Sequence, residues 1–336
     1  MELLILILVI AAALGFEFIN GFHDTANSIA TTVYTKALPV AGAILLAASM
    51  NFLGAFVSEG VAKTISSGLV SEEFPLADYV ILAALLGAIT WNLFTWWKGI
   101  PCSSSHALIG GLLGASIAFT LGIEGIMWGN VMQKVVIPML TSPIIGFFLA
   151  YGLMKLIYWV FAKVNHRKAG RVFLRLQIFS AAAVAFSHGT NDAQKTMGII
   201  TLALFTSGFL HDASHIPLWV KFICAATMAA GTSVGGWRIM RTMGHGVTKL
   251  DSVRGFAAET TSAIVIQVMT ALHAPISTTQ AITSAVMGVG SARRLRAVKW
   301  SKAGEIAITW VLTPVATITL GGIIVFAIQF LIHLFA

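Results

Sequence analysis

Two short runs in this 336-residue chain put ionisable and amide side chains into otherwise apolar sequence. They are Gly21-Phe22-His23-Asp24-Thr25-Ala26-Asn27 and Gly189-Thr190-Asn191-Asp192-Ala193-Gln194-Lys195. Gly189 lies 168 residues after Gly21, half the length of the chain. An aspartate at the centre of a lone membrane helix costs roughly 2.5–3.5 kcal/mol, and ionisable groups held there usually face an ion or substrate pathway. Asp24 and Asp192, with Asn20, Asn27, Asn191 and His23 around them, therefore read as a place for a hard cation or a proton. The plainer alternative, an aspartate that caps a helix break, is weaker for two at matching positions than for one.

A second pair of motifs follows at nearly the same offset. Pro101-Cys102-Ser103-Ser104-Ser105-His106 is matched by Pro275-Ile276-Ser277-Thr278-Thr279-Gln280. Proline suits the first turn of a helix, and serine and threonine are good caps. A helix starting there aims free N–H groups and its positive dipole end forward, which makes an oxyanion site. Ser103, Ser104, Ser105, Ser277, Thr278 and Thr279 are the candidate anion donors, with His106 and Gln280 just behind them. Ordinary capping at a membrane surface is the alternative for each motif alone. Lys195, at helical spacing from Asp192, is placed to pair with it or to meet the anion, and Glu259 either joins the site or caps its own helix.

The elements that must position these residues are membrane helices. Hydrophobic residues make up 57 % of the chain and charged ones 10 %, against about a quarter charged in soluble domains. Taking ~20 residues per crossing, ten apolar segments emerge, five per half. The first half has 2–19 running into a polar break at 20–35, then 39–58, 78–97, 104–121 and 136–162. The second has 173–187 running into a break at 188–205, then 217–236, 255–272, 276–290 and 303–334. The short glycine-rich segments 104–121 and 276–290 suit re-entrant helices, and Gly21 and Gly189 suit unwound backbone at the midplane. The expected fold is an all-α polytopic membrane protein of two inverted repeats, 1–162 and 176–336, joined by a basic linker at 163–175.

Charge sets the orientation. Basic clusters at 163–175, 238–254 and 293–302 hold fourteen of the 21 lysines and arginines, and with ten crossings all three fall on one side. The positive-inside rule makes that side cytoplasmic and puts Glu59, Glu72, Glu73, Asp78 and both termini outside. The formal charge of +8 is thus a topology signal and not a nucleic-acid surface. Cys102 and Cys224 have no metal or disulfide spacing, and no nucleophile–base pair or phosphate loop suggests an enzyme.

Ile19-Asn20-Gly21-Phe22-His23-Asp24-Thr25-Ala26-Asn27-Ser28 and Ser187-His188-Gly189-Thr190-Asn191-Asp192-Ala193-Gln194-Lys195 resemble the duplicated signature of the inorganic phosphate transporter (PiT) family. The resemblance covers essentially the whole chain, including the Pro-Ser-Ser-Ser-His and Pro-Ile-Ser-Thr-Thr-Gln segments. It implies phosphate symport in a cell membrane, driven by protons or sodium, with no bound cofactor and often as a homodimer. His23-Asp24 in the first copy and Gln194-Lys195 in the second depart from the sodium-coupled animal carriers and look closer to bacterial low-affinity carriers, which favours protons. Sodium coupling, with Asp24 and Asp192 as its ligands, stays the alternative, as does another tetrahedral oxyanion such as sulfate; phosphate entering as a neutral complex with a divalent metal is a further form of the substrate.

The charge asymmetry yields an orientation test. Cysteine probes within 163–175 are expected to label only from the cytoplasm, and a reporter after Ala336 only from outside; the reverse pattern would overturn the inverted arrangement.

Overall fold

The computed structural model describes residues 2–71, 76–236, 239–240 and 247–335. Glu72, Glu73, Arg238 and Arg241, used above for orientation, lie outside that set, as do the side chains of Glu2 and Arg167. Among the described residues the chain is helical, with an isolated bridge between Val70 and Ile126. Backbone in lipid must satisfy its own hydrogen bonds, and helices do so within one segment.

The first half comprises α1 (Glu2–Tyr34), α2 (Val40–Gly54), the short α3 (Gly60–Ser67), α4 (Asp78–Lys98), α5 (Ser104–Thr120) and α6 (Trp128–Val160), whose Val131–Val136 stretch is π-helical. The second comprises α7 (His166–Thr206), α8 (Leu218–Val234), α9 (Ser252–Ala271), α10 (Thr278–Ser291) and α11 (Trp300–Phe335). Five of these, in α1, α4, α6, α7 and α11, are long and apolar enough to cross a membrane. Large apolar side chains such as Leu4, Phe148 and Phe330 are exposed on α1, α6 and α11, as lipid-facing helices require, while the interior collects small and polar residues. All ten expected segments have a helix, and α6 begins earlier than the 136 read from hydropathy.

The packing repeats between the halves. α1 lies against α8 as α7 lies against α2, and α5 packs on α11 as α10 packs on α6. Each half thus wraps helices of the other. Glu59, at the start of α3, joins Lys63 at 3.3 Å and also Lys221 of α8. The Lys221 ammonium beside it, helped by Lys63, holds the Glu59 carboxyl below the usual carboxylate range.

One expectation fails. The breaks expected at 20–35 and 188–205 are absent, because α1 and α7 run through Gly21 and Gly189 as continuous helices. The glycines permit close crossings instead of unwinding. A Cβ on Gly21 would lie 2.6 Å from Met228 O, and one on Gly231 would lie 2.2 Å from Phe18 O. The matching crossing of α7 and α2 has a Gly189 Cβ at 2.2 Å from Asn51 O and a Gly54 Cβ at 2.2 Å from Phe186 O. Small residues facing each other let membrane helices approach backbone to backbone. The irregular backbone lies in the other motif, at 101–103 and 274–277, where it is buried in protein.

Gly21→Ala and Gly189→Ala are each expected to destabilise by about 1–3 kcal/mol through overpacking. Gly152→Ala, whose Cβ meets nothing within 4 Å, is the neutral control. Melting of the purified protein in detergent reads the difference; equal melting of all three variants would contradict the crossings.

Candidate functional site

On α1 the side chains of Asn20, Asp24 and Asn27 follow the i, i+4, i+7 spacing of one helix face, and on α7 His188, Asp192 and Lys195 do the same. All six are at most 3 % exposed. The two faces meet at the close crossings' level. His188 Nε2 lies 3.8 Å from Asp24 Oδ2 and 3.4 Å from Asp192 Oδ2, and one atom from each of the three fits within 4.8 Å.

A relay of hydrogen bonds fixes the His188 ring. Thr232 Oγ1 donates to Met228 O at 2.9 Å and accepts from Asn51 Nδ2 at 3.0 Å. This turns Asn51 Oδ1 to His188 Nδ1 at 3.1 Å. An amide oxygen only accepts, so Nδ1 carries a hydrogen and Nε2 is the ring atom that faces the two carboxylates. Two carboxylates and Nε2 converge there, an arrangement that calls for a proton or a cation between them.

The six hydroxyls divide into three matched pairs. Ser103 and Ser277 are caps, accepting from His106 N and Gln280 N at 3.2 Å each. Ser104 donates to Asp24 Oδ2 at 3.5 Å, and Thr278 to Asp192 Oδ2 at 3.4 Å. Ser105 and Thr279 cross between the halves: Ser105 donates to Ile276 O at 2.7 Å and accepts from Lys195, while Thr279 lies 3.3 Å from Asp24 Oδ1 and accepts from Asn27 at 2.9 Å. His23 Nδ1 lies 3.1 Å from Asp24 Oδ1, and Asn191 donates to Thr270 Oγ1 at 2.8 Å.

Several buried polar atoms here have no hydrogen-bond partner: both side-chain polar atoms of Asn20, both ring nitrogens of His106, Asn27 Oδ1, Asn191 Oδ1 and Gln280 Oε1. Native interiors leave few such atoms, so a cluster of them marks a place that binds something polar. Lys195 pairs with Asp192 at 2.6 Å. Gln194 does not join them; its Oε1 accepts from Val61 N and Ala62 N, fixing the start of α3.

Glu259 forms a separate cluster, within α9. Its carboxylate accepts from Thr31, from Thr32 at 2.7 Å, from Gln177 at 3.1 Å and from Ser180 at 2.5 Å. Thr31 is seven residues beyond Asp24, roughly 10 Å along the helix. Glu17, on the other side of Asp24, accepts from Thr196 and is fully buried. Two residues of this cluster escaped the sequence reading. His188 had a signal, its place four residues before Asp192 and opposite Asn20 in the repeat, whereas Asn51 showed only as a lone amide in an apolar run.

Comparison with known proteins decides the family. The pattern described as the phosphate transporter family matches residues 20–321, which include both aspartate runs and both hydroxyl runs. The chain belongs to the phosphate transporter family. It is 47 % identical over 329 residues to a probable low-affinity inorganic phosphate transporter of Bacillus subtilis (strain 168), covering 97 % of this chain and 98 % of that one. A protein of the same description from Rhizobium meliloti (strain 1021) is 46 % identical, covering 96 % of each chain. A solved structure titled the sodium-dependent phosphate transporter superposes with a TM-score of 0.89 at 26 % identity, over 97 % of this chain and 99 % of that one. These relatives are transporters and not enzymes, in keeping with the chemistry of this phosphate transporter family member's core.

Asn51 touches no ligand position directly, yet it sets the His188 tautomer. Loss of a partner that orients a ligating histidine typically costs 10–100-fold. Asn51→Ala is therefore expected to weaken binding of labelled phosphate by about 10- to 100-fold, with circular dichroism showing the helices intact. Unchanged affinity would show that the relay is idle.

Proposed function

We propose that this phosphate transporter is a secondary active symporter that imports inorganic phosphate together with protons. The observation that carries this reading is the single proton on each of Ser104 and Thr278, which now points at Asp24 and Asp192. A hydroxyl has one hydrogen to donate. If those hydrogens turn to an anion at the starts of α5 and α10, the carboxylates lose their donors and need another positive partner. Cation and anion then bind together or not at all, which is the condition for symport.

Energetics require such a partner. Each charge moved through 100 mV is worth about 2.3 kcal/mol, so a dianion entering a negative interior is opposed by about 4.6 kcal/mol. Protons are favoured over sodium by the imidazole among the ligands. A hydrogen on His188 Nε2 would be aimed between Asp24 and Asp192, whereas a hard alkali cation prefers oxygen alone. Two acids off the centre, Glu17 on one side and Glu259 on the other, support a proton route along α1. Sodium remains the second reading, favoured by the structural likeness to the sodium-dependent phosphate transporter. Hydrogen phosphate carries a donor that sulfate lacks, so carboxylate acceptors beside the anion favour phosphate.

The matched helix order and the exchanged packing of α5 and α10 support two repeats, 1–162 and 176–336, inverted in the membrane with both termini outside. In that arrangement α5 and α10, at 17 and 14 residues, begin near the midplane and leave on opposite sides. A homodimer is the assembly we assign, each chain carrying its own site.

Uptake of labelled phosphate into proteoliposomes under an imposed pH gradient, without sodium, tests the mechanism. The wild type is expected to accumulate phosphate, and Asp24→Asn and Asp192→Asn to lose concentrative uptake while remaining folded. Accumulation that appears only when sodium is added would transfer the coupling to sodium, and equal competition by sulfate would change the substrate.

A further inference from the structure

Lys195 is held in an unusual way for a salt-bridged lysine. Its ammonium donates to Asp192 Oδ1 at 2.6 Å, to Ile276 O at 3.0 Å and to Ser105 Oγ. These three oxygens come from α7, from the buried loop before α10 and from α5 of the other half. An ammonium has three hydrogens, and here each has its own acceptor, so none is left for an anion. A carboxylate, a hydroxyl and a backbone carbonyl converging on one buried positive charge is also the donor set that a hard monovalent cation takes.

The first half holds counterparts of two of these three oxygens without the ammonium, and there His23 Nδ1 lies 3.1 Å from Asp24 Oδ1. Asn27 stands at the position equivalent to Lys195, 168 residues earlier, the offset that separates Gly21 from Gly189. Around it are Asp24, the counterpart of Asp192, and Thr279, the counterpart of Ser105 in the opposite hydroxyl run. Asn27 Oδ1 is buried and unpartnered, although its Nδ2 is engaged with Thr279. Where the second half has a tethered positive charge, the first has a buried amide oxygen with no hydrogen-bond partner.

We infer that the ammonium of Lys195 is a resident cation that permanently fills the second-half member of two matched cation positions. The first-half member, at Asp24, Asn27 and Thr279, is the one that takes a mobile monovalent cation. The transporter therefore carries one cation fewer per cycle than a chain with an amide at both positions. This inference deepens the symport reading and rests on it only for the phosphate readout.

The test uses full-length purified protein, with labelled phosphate binding measured in choline chloride and on titration with sodium at constant ionic strength. Lys195→Asn gives the second half the first half's residue. Its phosphate affinity in choline is expected to fall about tenfold or more and to return with sodium, which the wild type does not need. Lys195→Met supplies neither charge nor oxygen, and sodium should not rescue it. Sodium should also raise the melting temperature of Lys195→Asn more than that of the wild type, with no phosphate present. The inference is overturned if Lys195→Asn binds phosphate in choline as tightly as the wild type. It is equally overturned if sodium restores neither affinity nor melting temperature, including when the variant is prepared in sodium throughout. A wild type that binds no phosphate in any buffer would sink the carrier reading instead, and the phosphate-free melting comparison would still decide the role of Lys195.

Discussion

Two carboxylates, Asp24 and Asp192, are buried on either side of one imidazole, and the rest of the molecule is arranged around that fact. Removing an ion from water costs several kcal/mol even after relaxation, unless partners compensate. The partners come from four helices: His23 on α1, Lys195 on α7, Ser104 on α5, and Thr278 and Thr279 on α10. Bringing them within reach demands that α1 and α7 approach their neighbours closely, which is why glycines line both crossings. It also demands that α5 and α10 start inside the protein, which is why irregular backbone is tolerated at 101–103 and 274–277.

The donors are few relative to the acceptors, and in the symport we propose that scarcity is what couples the two ligands. Ser104 and Thr278 have one hydrogen each, Lys195 has none to spare, and His188 has committed its Nδ1 hydrogen to Asn51. An arriving anion competes for hydrogens already in use, and an arriving proton or cation releases them. Cooperation between the two ligands then follows from counting hydrogens, without any separate allosteric element.

Much of this was legible in the sequence because the aspartate run and the hydroxyl run each occur twice. The aspartate runs and the hydroxyl runs stand out against apolar surroundings, and the helix order follows hydropathy closely. The meaning of Gly21 and Gly189 was not legible. A glycine serves either an unwound backbone or a close crossing, and the choice is made by Met228 and Asn51, far away in sequence. Asn51 was hidden for the same reason, since its role exists only through Thr232 and His188. Glu259 was noticed for its charge, but its four donors lie on α1 and α7, which no local spacing on α9 reveals.

The interleaving of the halves has a consequence for how the chain is made. α5 finds its main partner in α11, and Asp24 finds Thr279 and His188 only in the second half. At 5–20 residues per second, synthesis leaves roughly 8 to 33 s between the emergence of Asp24 and that of His188, 164 residues later. During that interval the first half sits in the bilayer, or at its insertion machinery, with Asp24 served by His23 and Ser104 alone and Asn27 without Thr279. Its own helices cannot close the core alone, so a chain arrested at the basic linker would hold those polar groups in the bilayer without their second-half partners.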